Sequence, residues 1–139
     1  MKKLEFLGPC LTFIGCETPN SVFKYEVSSA FRNTDFSATT KVVTDSDING
    51  FPQPMQRYLH FAGVVGKPLV KTARLKQIGL FKPSPSSGYK SIVAEEYYFP
   101  AQRAFYWYGS LDFAPLLKVH VRDKYAEGKG VIWAKLAVK

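Results

Sequence analysis

The chain has 139 residues, 46% hydrophobic and 22% charged, with 15% aromatics, a length that suits one domain. That composition excludes intrinsic disorder, collagen-like repeats and coiled coils, and it supplies the volume for a sizeable core. The net charge of +8 is unevenly spread: residues 1–50 hold 5 Lys/Arg against 6 Asp/Glu, whereas residues 51–139 hold 14 against 5.

No apolar run approaches the ~20 residues of a membrane-spanning helix. The start, Met1-Lys2-Lys3 followed by an apolar stretch to Gly15-Cys16, faintly imitates a bacterial lipoprotein signal. Glu5, Gly8, Pro9 and Thr12 interrupt that stretch, so Leu4–Ile14 is expected to belong to the fold as an edge strand or covering segment. Cys16 is then not lipidated, and a cytoplasmic location is favoured. Cys10 and Cys16 form no CxxC and have no companion ligand cluster, so they read as two small apolar side chains.

Ser21–Ser29 alternates Val22, Lys24 and Glu26 with Phe23, Tyr25 and Val27, a period of two that predicts a strand. Asp35–Thr44 is rich in β-branched residues between turn-formers, and the two runs together predict a hairpin. Asp45–Gly50 is the most plausible boundary, dividing an N-terminal hairpin extension (1–49) from the remainder (50–139) within one domain. Met55, Tyr58, Leu59 and Ala62 follow helical spacing after Pro52 and Pro54 and before Gly63, which predicts a short amphipathic helix. Thr72–Phe81, Tyr89–Phe99, Ala104–Leu111, Lys118–Tyr125 and Gly130–Val138 then read as strands joined by short turns, so antiparallel neighbours. The expected class is α+β, mostly β: a curved antiparallel sheet or half-barrel with one short helix packed on it.

Candidate chemistry is sparse. His60 sits between Leu59 and Phe61 on the helix, and His120 shares a strand face with Lys118, Arg122 and Lys124; neither has a carboxylate and a nucleophile in pattern. Glu95 and Glu96 are adjacent in a strand and point to opposite faces, so they cannot act as a dyad. GxSxG, HExxH, P-loop and GxGxxG motifs are absent. No catalytic residue, metal or cofactor is therefore expected, and the chain does not read as an enzyme. The basic surplus with many aromatics permits nucleic-acid binding, but the cations are scattered singly, which disfavours it.

The densest feature is aromatic: Tyr97, Tyr98, Phe99, Phe105, Tyr106, Trp107 and Tyr108 lie across one hairpin. Tyr97, Phe99, Phe105, Trp107, Val121, Tyr125 and Trp133 are the expected lining of a cavity for an apolar or amphipathic small molecule. The competing expectation is a two-fold homodimer built on the exposed edge of the last strand, whose Val131, Ile132, Trp133, Leu136 and Val138 are too apolar to stand free. If residues 1–49 instead supplied the missing strands, the chain would be a monomer.

Phe51 to Leu59 (FPQPMQRYL), Ala62-Gly63-Val64 and Gly66-Lys67-Pro68 resemble the opening of a bacterial family of domains of unknown function, roughly "LPEPVRRYLRxAGVxGxP". The resemblance continues through Arg74–Gly79, Glu95-Glu96-Tyr97-Tyr98 (family "EQYY"), Phe105-Tyr106-Trp107, Arg122-Asp123-Lys124-Tyr125 and Gly128-Lys129-Gly130, covering about residues 50–136. It implies no activity and no site residue. Members run on beyond this pattern, so by resemblance the chain looks like a truncated copy behind a foreign leader, as a mobile or recombined gene would give. The order of one short helix followed by strands is also similar to the half-barrels of periplasmic lipoprotein carriers, a likeness of fold alone.

Overall fold

A computed structural model describes residues 17–138, so the readings made for Leu4–Ile14, Cys10 and Cys16 lie outside the described residues. Helix α1 spans Pro19–Arg32, helix α2 spans Asp45–Ile48 and helix α3 spans Gln53–Phe61. Strands β1 (Ala73–Phe81), β2 (Lys90–Phe99), β3 (Ala104–Ala114), β4 (Leu117–Ala126) and β5 (Lys129–Val138) follow, with a 3₁₀ turn at Pro100–Gln102 between β2 and β3. All strand pairs are antiparallel and the sheet order is β1-β2-β3-β4-β5, an open meander that does not close on itself. The class is thus α+β and mostly β.

The strands form where period-two runs meet strong turn chemistry. Glu127 (φ 53°) and Gly128 (φ 76°) make a two-residue turn between β4 and β5 with both central residues at positive φ, the geometry that follows strand twist. Pro115 and Leu116 turn β3 into β4, beside an irregularity between Asp112 and Ala114 that leaves Phe113 outside the register.

The N-terminal portion differs from its sequence reading. Ser21–Ser29 is not a strand but the middle of α1, because Phe23, Val27 and Ala30, spaced four and three apart, are buried together with Pro19 on one helical stripe. Thr18 caps this helix: its hydroxyl accepts from the Ser21 amide (3.1 Å), and the Ser21 hydroxyl accepts from the Thr18 amide (3.0 Å). Asp35–Thr44 is not a strand either. The Asp35 carboxylate accepts from the Ser37 amide and hydroxyl (2.8 and 2.6 Å) and from the Ala38 amide (3.2 Å), which curls the backbone. Residues 17–49 therefore form no hairpin, and they add no strand to the sheet; a single bridge joins Val42 to Pro68.

Helix α3 forms where expected, and Gly63 (φ 65°) follows its end. It is not the helix that covers the sheet. None of its residues is buried, Phe61 is 90% exposed, and Gln56 instead ties it back to the carbonyls of Asn49 and Phe51 (3.1 and 2.7 Å). The covering helix is α1.

Candidate functional site

Cross-strand register assigns the two faces of the sheet. Tyr97 pairs with Arg74 and Tyr106, Tyr106 with Lys124, Tyr108 with Glu95 and Arg122, and Arg122 with Trp133, so these residues share the face that meets α1. The opposite face carries Leu75, Glu96, Phe105, Trp107, Gly109, Val121, Tyr125 and Ile132. The seven residues expected to line one cavity are thereby divided. Tyr97, Phe99 and Trp133 lie on the α1 side; Phe105, Trp107, Val121 and Tyr125 lie on the other.

On the α1 side the aromatic floor is already filled from above. Phe23 stacks on Tyr108 (centroids 5.5 Å apart, planes at 27°) and tilts against Tyr97 (6.1 Å). Phe31 meets Phe99 and Tyr97 edge-on at 5.0 and 5.7 Å, and Phe99 meets Tyr106 in the same manner at 5.8 Å. Phe23, Val27, Ala30, Phe99, Ala104 and Tyr106 are all buried in this one cluster. Gln102 fastens the C-terminal end of α1, donating to the Ala30 carbonyl (2.8 Å) and the Thr34 hydroxyl (2.9 Å).

One ionic cluster is embedded in this contact. Arg122, only 6% exposed, donates to Glu26 through Nε (2.7 Å) and Nη2 (2.9 Å), and Lys124 donates to the same carboxylate at 2.6 Å. Burial opposes ionisation of Glu26, but the hydrogen bonds from Arg122 and Lys124 outweigh it and hold the carboxyl below the usual glutamate range. The sequence reading placed Arg122 and Lys124 on one face yet missed their partner. Glu26 appears in a seeming strand, and nothing local connects it to residues almost a hundred positions away.

Next to Tyr108, on which Phe23 stacks, lies a groove of about 320 Å³ lined by Lys76, Gln77, Ile78, Val93, Ala94, Glu95, Tyr108 and Ser110, with Ile78 and Val93 as its main apolar side chains. Its polar groups are largely engaged. Glu95 accepts from Tyr97 Oη (2.8 Å) and pairs with Arg74, while the Tyr108 hydroxyl meets His120 Nδ1 at 2.7 Å, the two rings stacked within 7° of parallel. Burial raises the Tyr108 pKa, and burial followed by the neighbouring Glu95 raises that of Tyr97. Glu96, on the far face, is reached by Gln77 (3.4 Å), so the two adjacent glutamates do point apart. His60 lies away from the sheet, 3.5 Å from Asp45.

A larger hollow of about 590 Å³ lies between residues 33–41 and the 3₁₀ turn. Both of its lysines are engaged, Lys71 by the carbonyls of Asp35, Phe36 and Ala38 and Lys41 by Asp47. Among the described residues no group of three or more His, Cys, Asp or Glu is placed to hold a metal, and no helix is long and apolar enough to cross a membrane.

On the opposite face Trp107 lies flat along its own strand. A Cβ added to Gly109 would fall 2.2 Å from the indole, and Trp107 Nε1 donates to Gln77 Oε1 at 2.8 Å. Isolated glycine in a strand marks such close approach, a signal present in the sequence. Gly109→Ala is expected to expel the indole, break that hydrogen bond and cost about 1–3 kcal/mol. Urea denaturation followed by tryptophan emission checks this; an unchanged midpoint and spectrum would remove the proposed overlap.

No curated protein and no solved structure matches the chain. Residues 41–138 match the profile of a family of unknown function (DUF6544), a span that holds α2, α3 and all five strands but leaves α1 outside, and the chain belongs to that family.

Proposed function

We propose that this chain is a non-enzymatic binding module for an apolar or amphipathic small ligand, taken up on the α1 side of the sheet. The observation that carries the reading is the 320 Å³ groove between Ile78 and Val93 on one flank and Tyr108 and Ser110 on the other, continuous with the aromatic floor. Apolar walls with a few convergent polar groups are the usual make-up of a small-molecule site. The titratable groups beside it are tied to one another rather than poised for proton transfer, which favours binding over catalysis. Arg122 is buried beneath α1 and Lys124 pairs with Glu26 beside it, so the two present no open basic surface to a nucleic-acid backbone.

Isothermal titration with dodecanol and dodecanoate tests the reading. Binding is expected, and Val93→Arg, at a position 58% exposed and so tolerant of change, is expected to weaken it about tenfold. Failure of both probes to bind would overturn it.

A homodimer through the sheet is a second reading, favoured by β5. Its outer edge has no strand partner among the described residues, and Ile132, Leu136 and Val138 stand exposed on it. Light scattering that returned only a 15.6 kDa species would remove it.

A further inference from the structure

Helix α1 presents the sheet with an apolar stripe, Phe23, Val27 and Ala30, and with one carboxylate, Glu26. The sheet answers with aromatic rings and two adjacent cations, Arg122 and Lys124, that share this single carboxylate. Once Glu26 is withdrawn, two positive charges remain at the end of an apolar floor. An apolar body ending in an anion is the chemistry that complements such a surface. Every group that would receive it (Tyr97, Tyr106, Tyr108, Arg122 and Lys124) comes from within residues 41–138, whereas the helix that now occupies it comes from outside that span. The 320 Å³ groove, which shares Tyr108 with the floor beneath Phe23, gives such a molecule an entry beside the helix.

We infer that the ligand class is an anionic amphiphile whose head group takes the place of the Glu26 carboxylate on Arg122 and Lys124, so that α1 is a built-in competitor displaced when the ligand binds. This rests on the binding reading above and adds to it a head-group charge and a moving part. Glu26 then sets affinity by holding the site closed, and the tail enters where Phe23 now stacks.

The test compares dodecanoate with uncharged dodecanol, by titration calorimetry on the full chain. Because Glu26 holds the site closed to either tail, Glu26→Gln is expected to tighten both ligands, dodecanoate about tenfold more than dodecanol. Lys124→Gln, at a partly exposed side chain, is expected to weaken dodecanoate and not dodecanol. In the unaltered chain, dodecanoate is expected to remove hydrogen-exchange protection from the amides of Phe23, Val27 and Ala30. Should Glu26→Gln fail to fold, Lys124→Gln and the exchange measurement decide. Dodecanoate and dodecanol bound alike in every variant, or dodecanoate bound with α1 fully protected, would overturn this inference while leaving the binding module standing. If neither amphiphile binds, the binding module falls first and this inference with it.

Discussion

Phe99→Ala is expected to lower the stability of the fold by about 3–5 kcal/mol, the largest effect of any single truncation among the described residues. Phe99 is 1% exposed and closes β2 just before the 3₁₀ turn that leads into β3. Its ring holds Phe31 of α1 on one side and Tyr106 of β3 on another, both edge-on. Removing it leaves a cavity walled by three elements that cannot all close in, because α1 is fixed at its end by Gln102 and by the Glu26 cluster. Urea denaturation gives the measure, with Ile78→Ala as a control at a site 87% exposed. A Phe99→Ala midpoint equal to that of the control would show that this junction is not the core of the molecule.

Arg122→Ala is expected to cost about 3 kcal/mol at neutral pH, because Glu26 would stay largely buried with Lys124 as its remaining partner. The pH dependence has a definite sign. Glu26 has a lowered pKa in the folded protein, so its contribution is complete above the ordinary glutamate value of about 4.3 and is lost as pH falls through the folded value. Two exposed aspartates act in the same direction. Asp35 is lowered by the Ser37 hydroxyl and amide, and Asp47 is held at about 2 by Lys41 and Thr44. Their share is separated by repeating the acid titration on Arg122→Ala, where the Glu26 part of the slope should shrink and the aspartate part should remain. An acid profile identical in the two proteins would mean that the cluster does not couple to folding.

The strands were legible because each is a period-two run bounded by residues that turn the chain, such as Glu127-Gly128 and Pro115, and because successive strands pair with their neighbours. Helix α1 was not. Phe23 and Val27 are four apart, a spacing that satisfies both a helical stripe and every second residue of a strand, and over nine residues Tyr25 tipped the reading toward β. The cap decides it: Thr18, Pro19 at the first turn and Ser21 three residues on from Thr18 are a helix start, visible only when the run is extended toward the N-terminus. The aromatic hairpin was half legible. Alternation correctly grouped Tyr97 with Phe99 and Phe105 with Trp107, but which face each pair takes depends on register across the hairpin. Tyr97 stands opposite Tyr106 and Trp107 opposite Glu96, so the two pairs are back to back. That a helix would press Phe23 and Phe31 onto one of those faces is a long-range fact that no local pattern carries.

The order β1 to β5 has a kinetic counterpart. Each strand pairs with the next in the chain, so every sheet contact closes a short loop and the meander can assemble hairpin by hairpin. The contacts of Glu26 with Arg122 and Lys124 span 96 and 98 residues and are slow to become worthwhile. Docking of α1 then falls after the rate-limiting step, and weakening it at Glu26 or Phe23 should steepen escape from the native state while refolding proceeds at almost the same speed. In a chevron plot the unfolding arm would rise and the folding arm stay in place, so the lifetime of the folded chain is governed by the helix and its rate of formation by the sheet.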